Sequence, residues 1–315
     1  MQSFIKRILF ATDFSESSTQ AFQYARAWAE VCGAHLDLLH VIGVHTGLDM
    51  DASIAKLYFD EREKLAQDNL KELEEEAGRT VSSVKTRLMV GFPSEQISLC
   101  ALDEQSDLIV TGTHGWRGLD RFFMGSIAER VICEAPCPVL SIRGDKKGEG
   151  EDDKTHVLRS KRARNALVPR HLLLPLEFST CSLEACEYVK QVAKEFTASV
   201  TLLHAVEPPS YSLEFNPSHP LQDQQFRNKI ESRLSELTDR LKEEGITGDF
   251  LLRDQGAAEA ILEVESENPV DLIVMGTHAR KGFSRIMLGS VAAVVLRKSS
   301  CPVLTVKPLD QRSNR

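Results

Sequence analysis

The residues whose types and spacing suggest binding chemistry lie in one stretch, 111–129, which has the sequence T-G-T-H-G-W-R-G-L-D-R-F-F-M-G-S-I-A-E. Two residues separate Gly112 from Gly115, and nine separate Gly115 from the pair Gly125-Ser126. Glycine lets a ligand approach the backbone closely, and the first N–H groups of a helix attract anions. The spacing therefore predicts a phosphate-binding loop that is divided between the end of a strand and the start of a helix.

Several further side chains suit a nucleotide bound at this loop. Arg117 and Arg121 would supply positive charge to the phosphates, and the Ser126 hydroxyl would bond a phosphate oxygen. Asp13, which ends the first predicted strand, would contact a Mg²⁺ ion carried on the phosphates, because hard cations prefer carboxylate oxygen. Val41, at the end of the second predicted strand, would make an apolar contact with the base.

Each of these groups also has a purely structural interpretation, and the sequence leaves both open. Ser126 and Glu129 form an S-x-x-E capping box, which needs no ligand. Asp13 fits the N-cap of the first helix, and Gly112 and Gly115 fit a tight turn. The arginines of the loop fit a solvated surface, and the histidines beside the glycines fit residues that bond the backbone.

Composition limits the classes of protein to which the chain can belong. The 315 residues carry a formal net charge of -8, which argues against nucleic acid or an anionic membrane as the main partner. No apolar run reaches the length of a membrane span, and no signal or transit peptide is visible. The seven cysteines are scattered without a C-x-x-C pair, which is typical of a reduced cytosolic protein. We therefore expect a cytoplasmic protein with two domains of ordinary size.

Apolar runs alternate with helical patterns in the first part of the chain. We predict strands at 5–12, 35–42, 81–90, 107–111 and 137–143, and helices at 20–31, 53–77, 94–104 and 126–134. This alternation predicts an α/β fold with a doubly wound, five-stranded parallel sheet. If its strand order is 3-2-1-4-5, the ligand crevice lies between strands 1 and 4, where Asp13 and the glycine loop would meet.

The same pattern then repeats. When the numbering is shifted by 164, segments 107–143 and 271–307 share 17 of 37 aligned residues. We predict two tandem domains, 1–144 and 170–309, joined by a charged linker, 145–169. The linker includes a basic cluster, for which a docking patch or a nucleic-acid tail is the alternative to a solvated connection.

Common catalytic motifs are absent from the sequence. There is no G-x-x-x-x-G-K-[ST] loop, no H-E-x-x-H and no G-x-S-x-G, and zinc-site spacings are missing. A protein that binds a nucleotide is therefore favoured over an enzyme that converts it. The alternatives are a slow Mg-dependent ATP hydrolase and a structural or partner-binding protein that holds no nucleotide.

Several segments resemble the universal stress protein family. The pattern G-2x-G-9x-G-(S/T) lies between a D-L-I-V strand and a C-P-V-L strand, and I-L-F-A-T-D-F-S and G-F-P-S-E-Q-I match other characteristic segments. The resemblance implies a fold related to electron-transfer flavoproteins and adenine-nucleotide hydrolases, with strand order 3-2-1-4-5. It implies ATP, or another adenine nucleotide, as the cofactor, with Mg²⁺, and a stress-response module as the function. The residues that it assigns to this ligand are Ala11, Thr12, Asp13, Val41, Gly112, Thr113, His114, Gly115, Gly125, Ser126 and Ile127.

The resemblance also implies that family domains pair through their last strands. The two halves of this chain would then form an internal pseudo-dimer, and a homodimer of whole chains is a further expectation.

The second half departs from the family pattern. Gly115 is replaced by Ala279, Asp13 by Glu177 and Thr12 by Leu176, and the turn after the third strand is predicted to be one residue shorter. A weaker or different anion site is expected there. Its residues would be Gly276, Thr277, His278, Gly289, Ser290 and Val291.

Overall fold

Apolar strands and helices alternate along the chain, as the sequence predicts. The computed structural model describes residues 3–44, 52–113, 124–144, 167–206, 220–277 and 288–307. The elements of the first half are β1 (Arg7–Thr12), α1 (Glu16–Cys32), β2 (His35–Gly43), α2 (Ala52–Ala77), β3 (Val84–Gly91), α3 (Pro93–Asp103), β4 (Leu108–Gly112), α4 (Ser126–Glu134) and β5 (Val139–Ile142). Those of the second half are β6 (His171–Pro175), α5 (Thr180–Phe196), β7 (Ser199–Ala205), α6 (Pro220–Glu243), β8 (Gly248–Arg253), α7 (Ala257–Glu267), β9 (Leu272–Gly276), α8 (Ser290–Lys298) and β10 (Val303–Val306).

Helix α1 shows how local sequence sets the boundaries of an element. The Ser15 hydroxyl accepts the N–H of Ser18 at the N-cap, and Gly33 ends the helix with a left-handed φ of 62°. That conformation is one that glycine adopts without strain. The predicted start at residue 20 is therefore four residues late, because the polar first turn already belongs to the helix.

The strands form a single ten-stranded sheet in the order β3-β2-β1-β4-β5-β10-β9-β6-β7-β8. Neighbouring strands are parallel except β5 and β10, which are antiparallel. Each half therefore has the strand order 3-2-1-4-5, and the two halves pair through their last strands. Both parts of the fold prediction are confirmed.

Helices cover both faces of the sheet, and buried side chains form one layer on each face. Trp28 of α1 and Phe10 of β1 belong to the layer beneath α1, α2, α5 and α6. Val131 of α4 and Leu9 of β1 belong to the layer beneath α3, α4, α7 and α8. Each layer contains residues of both halves, so the apolar core continues across the junction between the domains.

Aromatic side chains also join the two halves. The ring centroids of Trp28 and Phe196 are 4.6 Å apart, and those of Phe4 and Tyr188 are 5.5 Å apart. The Trp28 Nε1–H donates to the carbonyl oxygen of Leu167 at 3.0 Å, just before the second domain begins. These contacts fix the N-terminal part of the first domain against helix α5 of the second.

The turn after the third strand corrects one prediction. Helix α3 begins at Pro93 and α7 begins at Ala257, which is 164 positions later. No residue is missing from the second turn. The glycine has instead moved by one position, from Gly91, whose φ is 151°, to Gly256, which is the N-cap of α7.

The remaining organisational predictions concern cysteines, membranes and the linker. None of the seven cysteines, all of which lie in the described ranges, forms a disulfide. None of the described helices is both long and apolar enough to cross a membrane. The linker 145–169 lies outside the described residues except at 167–169, so the predicted domain boundaries stay a prediction.

Candidate functional site

The carboxyl ends of β1 and β4 lie side by side in the first half of the sheet. Ala11 of β1 pairs with Thr111 of β4. The other neighbour of β1 is β2 and the other neighbour of β4 is β5, so the strand order reverses direction between β1 and β4. The N–H of Gly125 donates to the Thr113 carbonyl oxygen at 2.8 Å, which places the start of α4 at the end of β4. The structure therefore brings together the strand ends and the helix start that the sequence predicts to converge.

Asp13 follows β1 at this edge and is held by the first turn of α1. Its Oδ1 accepts the Ser15 N–H at 3.0 Å and the Ser18 hydroxyl at 2.6 Å. The N-cap of α1 is Ser15, so the interpretation of Asp13 as the cap is wrong. Two donors on one oxygen give the half-exposed carboxylate a defined position. Ser18, five residues after Asp13, was not among the predicted site residues.

Gly112 is required by packing and not by a tight turn. A Cβ atom at this position would lie 2.8 Å from Ser17 Oγ and 3.0 Å from the backbone nitrogen of Ser18. Gly276 has the equivalent relationship to Cys181, with a distance of 2.8 Å to its carbonyl oxygen. In each half the glycine lets the first helix approach the end of the fourth strand.

Thr113 comes next in the chain, and its backbone already has a partner. Its N–H donates to the Ile142 carbonyl oxygen at 2.9 Å, and the N–H of Thr277 donates to Val306 at 3.0 Å in the second half. A phosphate at the loop would therefore not use the N–H of Thr113. Four predicted positions, His114, Gly115, Arg117 and His278, lie outside the described residues, as does Arg121.

Helix α4 presents an open N-terminus at the crevice. Gly125 is the N-cap, with φ -60° and ψ 135°, and no side chain of the described residues caps the helix. The capping box of Ser126 and Glu129 is therefore wrong, because Ser126 occupies the first helical position, where its hydroxyl cannot take the capping role. The N–H groups of Ser126 and Ile127 have no acceptor within the helix. Both residues are exposed.

Apolar side chains and a histidine complete the crevice on the side of β2. Val41 is 9% exposed and packs in the layer beneath α3 and α4. The His40 Nδ1–H donates to the Thr12 carbonyl oxygen at 2.8 Å, and its ring stacks on Phe14 with centroids 4.5 Å apart. Burial lowers the pKa of His40, and the bond to Thr12 opposes this only in part. His40 is thus a neutral structural residue at pH 7.

The corresponding crevice of the second half is an apolar cavity of about 230 Å³. Gly276, Gly289, Ser290 and Val291, all predicted for the second site, line this cavity. Helix α8 has Gly289 as its N-cap, again without a capping side chain among the described residues. The other lining residues are Pro175, Leu176, Glu177, Ser182, Leu203, His204, Ala205, Ala257, Ile261, Met275 and Ala292.

Glu177 takes the place of Asp13 after the first strand of its domain, β6. Its Oε1 accepts the Ser179 hydroxyl at 2.7 Å, and the residue is exposed. Leu176 takes the place of Thr12. His204 keeps the role of His40, with Nδ1 donating to the Leu176 carbonyl oxygen at 2.6 Å.

Comparison with known proteins agrees with these observations. The model of the universal stress protein family matches residues 5–143 and 169–307. A universal stress protein of Methanocaldococcus jannaschii is 34% identical over 151 residues, which cover 46% of this chain and 86% of the relative. A universal stress protein of Mycolicibacterium smegmatis is 23% identical over 314 residues and covers 96% of this chain and 97% of the relative.

The fold is also found among solved structures. The crystal structure of a universal stress protein from Archaeoglobus fulgidus has a TM-score of 0.67 and 21% identity, and the match covers 96% of this chain and 98% of that one. The tandem halves, the strand order and the family match lead to one conclusion: the chain belongs to the universal stress protein family and contains two family domains in tandem.

Proposed function

We propose that the crevice of the first domain binds ATP, or another adenine nucleotide, together with Mg²⁺. The observation that carries the proposal is the fixed Asp13 carboxylate at the same sheet edge as the uncapped N-terminus of α4. Anions bind at helix N-termini, and Mg²⁺ is commonly held by one or two carboxylates together with substrate phosphates. The two features therefore suit the two parts of one metal–phosphate ligand.

The rest of the first crevice fits the same ligand. The N–H groups of Ser126 and Ile127 and the Ser126 hydroxyl would hold phosphate oxygens, and Val41 and Ala11 would contact the base. The described residues contain no group of three or more His, Cys, Asp or Glu side chains that could hold a metal ion. In the proposed complex the metal arrives with the nucleotide and takes one protein ligand, Asp13.

The proposed role is that of a cytoplasmic stress-response regulator that binds nucleotide with little or no turnover. In such a regulator the fraction of chains that hold nucleotide would rise with the nucleotide concentration. The bound ligand would also stabilise the folded state by mass action. Mass spectrometry of small molecules that copurify with the chain would identify the natural ligand.

Calorimetric titration of the full chain with Mg-ATP tests the proposal. Asp13→Asn keeps an oxygen that can accept the bonds from Ser15 and Ser18 but removes the charge that attracts Mg²⁺. We expect the affinity for Mg-ATP to fall at least about tenfold, which is about 1.4 kcal/mol. The affinity for metal-free ATP should change much less.

Glu177→Gln is the matched control, since it makes the same chemical change at the equivalent position of the second domain. It should leave the titration unchanged. Absence of binding to the wild-type chain would overturn the proposal. If the two substitutions weakened binding equally, Asp13 would not be the metal ligand. Phosphate release at about 1 s⁻¹ or faster, the lower end of ordinary enzyme turnover, would contradict a pure binding role.

A further inference from the structure

A cavity of about 400 Å³ lies at the edge of the sheet opposite the two crevices. Its lining residues from the first domain come just before β1, β4 and β5, and those from the second domain belong to one helix, α5. The cavity therefore lies between the domains, at the amino ends of the strands. Its volume is within the roughly 300–1,000 Å³ typical of small-molecule sites.

Helix α5 forms the wall that the second domain contributes. Glu184, Glu187, Tyr188 and Gln191 line the cavity and are spaced i, i+3, i+4 and i+7, so they share one face of the helix. Glu184 is half-buried, and Glu187 is exposed. This wall therefore presents two carboxylates and one aromatic ring to the first domain.

The first domain adds a third carboxylate. Asp107 lines the cavity just before β4, and its Oδ2 accepts two backbone N–H groups at 2.7 and 3.0 Å. The described lining residues include no basic side chain. Lys190 lies 2.6 Å from Glu187 and 2.8 Å from Glu244, so its charge is divided between two carboxylates. The excess of negative charge around the cavity favours a cationic ligand.

The equivalent positions at the other side of the pseudo-dimer carry amides in place of the two glutamates. When the numbering is shifted by 164, Gln20 and Gln23 of α1 correspond to Glu184 and Glu187. The aspartate is repeated before β9, where it again accepts two backbone N–H groups. The aspartate thus belongs to the common fold of the domains, whereas the two glutamates distinguish this cavity.

Aromatic rings and prolines form the apolar part of the lining. The rings of Phe4 and Tyr188 are in edge contact, with centroids 5.5 Å apart. Pro136 and Pro138 line the cavity before β5, and a proline has no backbone N–H to offer an anion. Aromatic rings attract cations as well as other rings. The walls therefore suit a ligand that combines an apolar body with a positive charge.

A buried hydroxyl group is the remaining polar feature. Ser106 lines the cavity and is 7% exposed, and its Oγ is buried without a hydrogen-bond partner among the described residues. Val270 takes the equivalent position in the second domain, so the common fold does not require a hydroxyl there. Buried polar groups nearly always have a partner. A ligand in the cavity is a source of that partner.

We propose that this cavity binds an organic ammonium ion with an aromatic body. The ammonium group faces the carboxylates of Glu184, Glu187 and Asp107 and donates to the Ser106 hydroxyl, and the ring packs against Tyr188 and the prolines. The charge is that of an organic cation, because the described residues contain no group of three or more His, Cys, Asp or Glu that could hold a metal ion. The proposal does not depend on nucleotide binding in the first crevice.

Calorimetric titration of the full chain with phenethylamine at neutral pH tests the proposal. The amine is protonated there, as a lysine side chain is, and phenethyl alcohol is an uncharged probe of similar shape. We expect the amine to bind once per chain with a Kd of about 1 mM or lower, and the alcohol to bind at least about tenfold more weakly. The proposal is overturned if the amine does not bind, or if the two probes bind equally well.

Two double variants locate the binding. Glu184→Gln with Glu187→Gln installs the amides of α1 and should weaken amine binding at least about tenfold, with little effect on the alcohol. Glu236→Gln with Glu243→Gln is the matched control, since it removes two carboxylates from exposed positions of α6. It should leave the affinity for the amine unchanged. Equal affinities of the two double variants would overturn the proposal.

Ser106→Ala tests the buried hydroxyl separately. It should weaken amine binding about threefold, as expected for the loss of one hydrogen bond. Urea unfolding of the free chain should show no loss of stability, because the hydroxyl has no partner among the described residues. This combination distinguishes a group that contacts the ligand from one that holds the fold together.

Discussion

Leu140 of β5 lies directly opposite Leu304 of β10, and these two residues occupy the same position in their respective domains. On either side, Ser141 pairs with Val303 and Val139 pairs with Thr305, so the pairs exchange when the domains are exchanged. A two-fold axis of the pseudo-dimer therefore passes between the two leucines, as it does in an isologous interface. Because β5 and β10 already pair with each other, neither is an edge strand that could pair with another chain. A homodimer of whole chains stays a prediction and would need another surface.

Reciprocal cations reinforce the junction between the domains. Lys307, which follows β10, donates through Nζ to the carbonyl oxygens of Cys133 at 2.6 Å and Ala135 at 2.8 Å, at the end of α4. Arg143, which follows β5 at the equivalent position, donates to the Lys298 carbonyl oxygen at 3.0 Å, at the end of α8. Cations are favourable at helix C-termini, where carbonyl groups lack intrahelical donors.

Lys307→Met should therefore destabilise the chain more than Arg143→Met. Lys307 is 5% exposed, so methionine removes two bonds to carbonyl oxygens, of which the one to Ala135 is buried, at a cost of about 1–3 kcal/mol. Arg143 makes the more exposed contact, and its replacement should cost less than about 1 kcal/mol. Urea unfolding of the three chains measures the difference. A reversed order of stability would contradict the assigned roles.

Gly112→Ala should destabilise the first domain because its Cβ would meet the backbone of α1. The nearest atoms are Ser17 Oγ at 2.8 Å and the backbone of Ser17 and Ser18 at 3.0 Å, so the helix must shift, at a cost of about 1–3 kcal/mol. Gly43→Ala is the control, since its Cβ would make an ordinary 3.8 Å contact with Pro93. Denaturant unfolding should show a loss for the first variant and none for the second. Equal stabilities would show that α1 adjusts freely.

A cluster of two arginines, one aspartate and one glutamate in the first domain has no counterpart of the same residue types in the second. Asp37 is 0% exposed and accepts from Arg87 Nε at 2.9 Å, with Arg7 Nη2 at 3.4 Å, and both arginines also contact Glu104. The equivalent positions hold His171, Thr201, Leu251 and Asn268, where His171 Nε2 and Thr201 Oγ1 are 2.8 Å apart.

Breaking this cluster at one residue should cost more than replacing it as a whole. Asp37→Asn leaves charged guanidinium groups without their buried partner, and we expect a loss of about 3–5 kcal/mol. The fourfold variant Arg7→His, Asp37→Thr, Arg87→Leu and Glu104→Asn transfers the four equivalent residues of the second domain. It should be at least as stable as Asp37→Asn by thermal and urea unfolding, and the opposite order would contradict the prediction.

The lowered pKa of His40 predicts a dependence of stability on pH. Below its ordinary pKa of 6.5 the unfolded chain binds a proton that the folded chain resists, because burial disfavours the imidazolium. The stability from neutral His40 is therefore complete above pH 6.5 and is lost as pH falls through the lowered folded pKa. Between about pH 7.5 and about pH 5 the wild type should lose more unfolding free energy than His40→Gln. Parallel losses in urea titrations would show that other groups control this range.

Much of this molecule follows from local pattern in the sequence. The alternation of apolar runs with helical periodicity predicted the parallel sheet, because strands and helices each impose their own spacing on buried residues. The 164-residue repeat placed both halves in register, and Asp107 and Asp271 show it in structure: each accepts two N–H groups from residues about 100 positions earlier. The convergence of Asp13 with the end of β4 also followed, since strand order determines which strand ends are neighbours.

Other features depended on contacts that no local pattern records. Gly112 is required because Ser17 packs against it. Gly125, the N-cap residue of α4, is held by a hydrogen bond from its N–H to the Thr113 carbonyl oxygen. The apolar lining of the cavity in the second domain includes Leu176, Ala205 and Met275, which lie at the ends of three different strands or just beyond them. The repeat and the order of the elements thus follow from the sequence, because they depend on periodicity and on residues near one another in the chain. The strand order was implied by the family resemblance and is confirmed by the sheet. Tertiary structure decided which groups face the crevices, because that depends on distances between residues far apart in the chain.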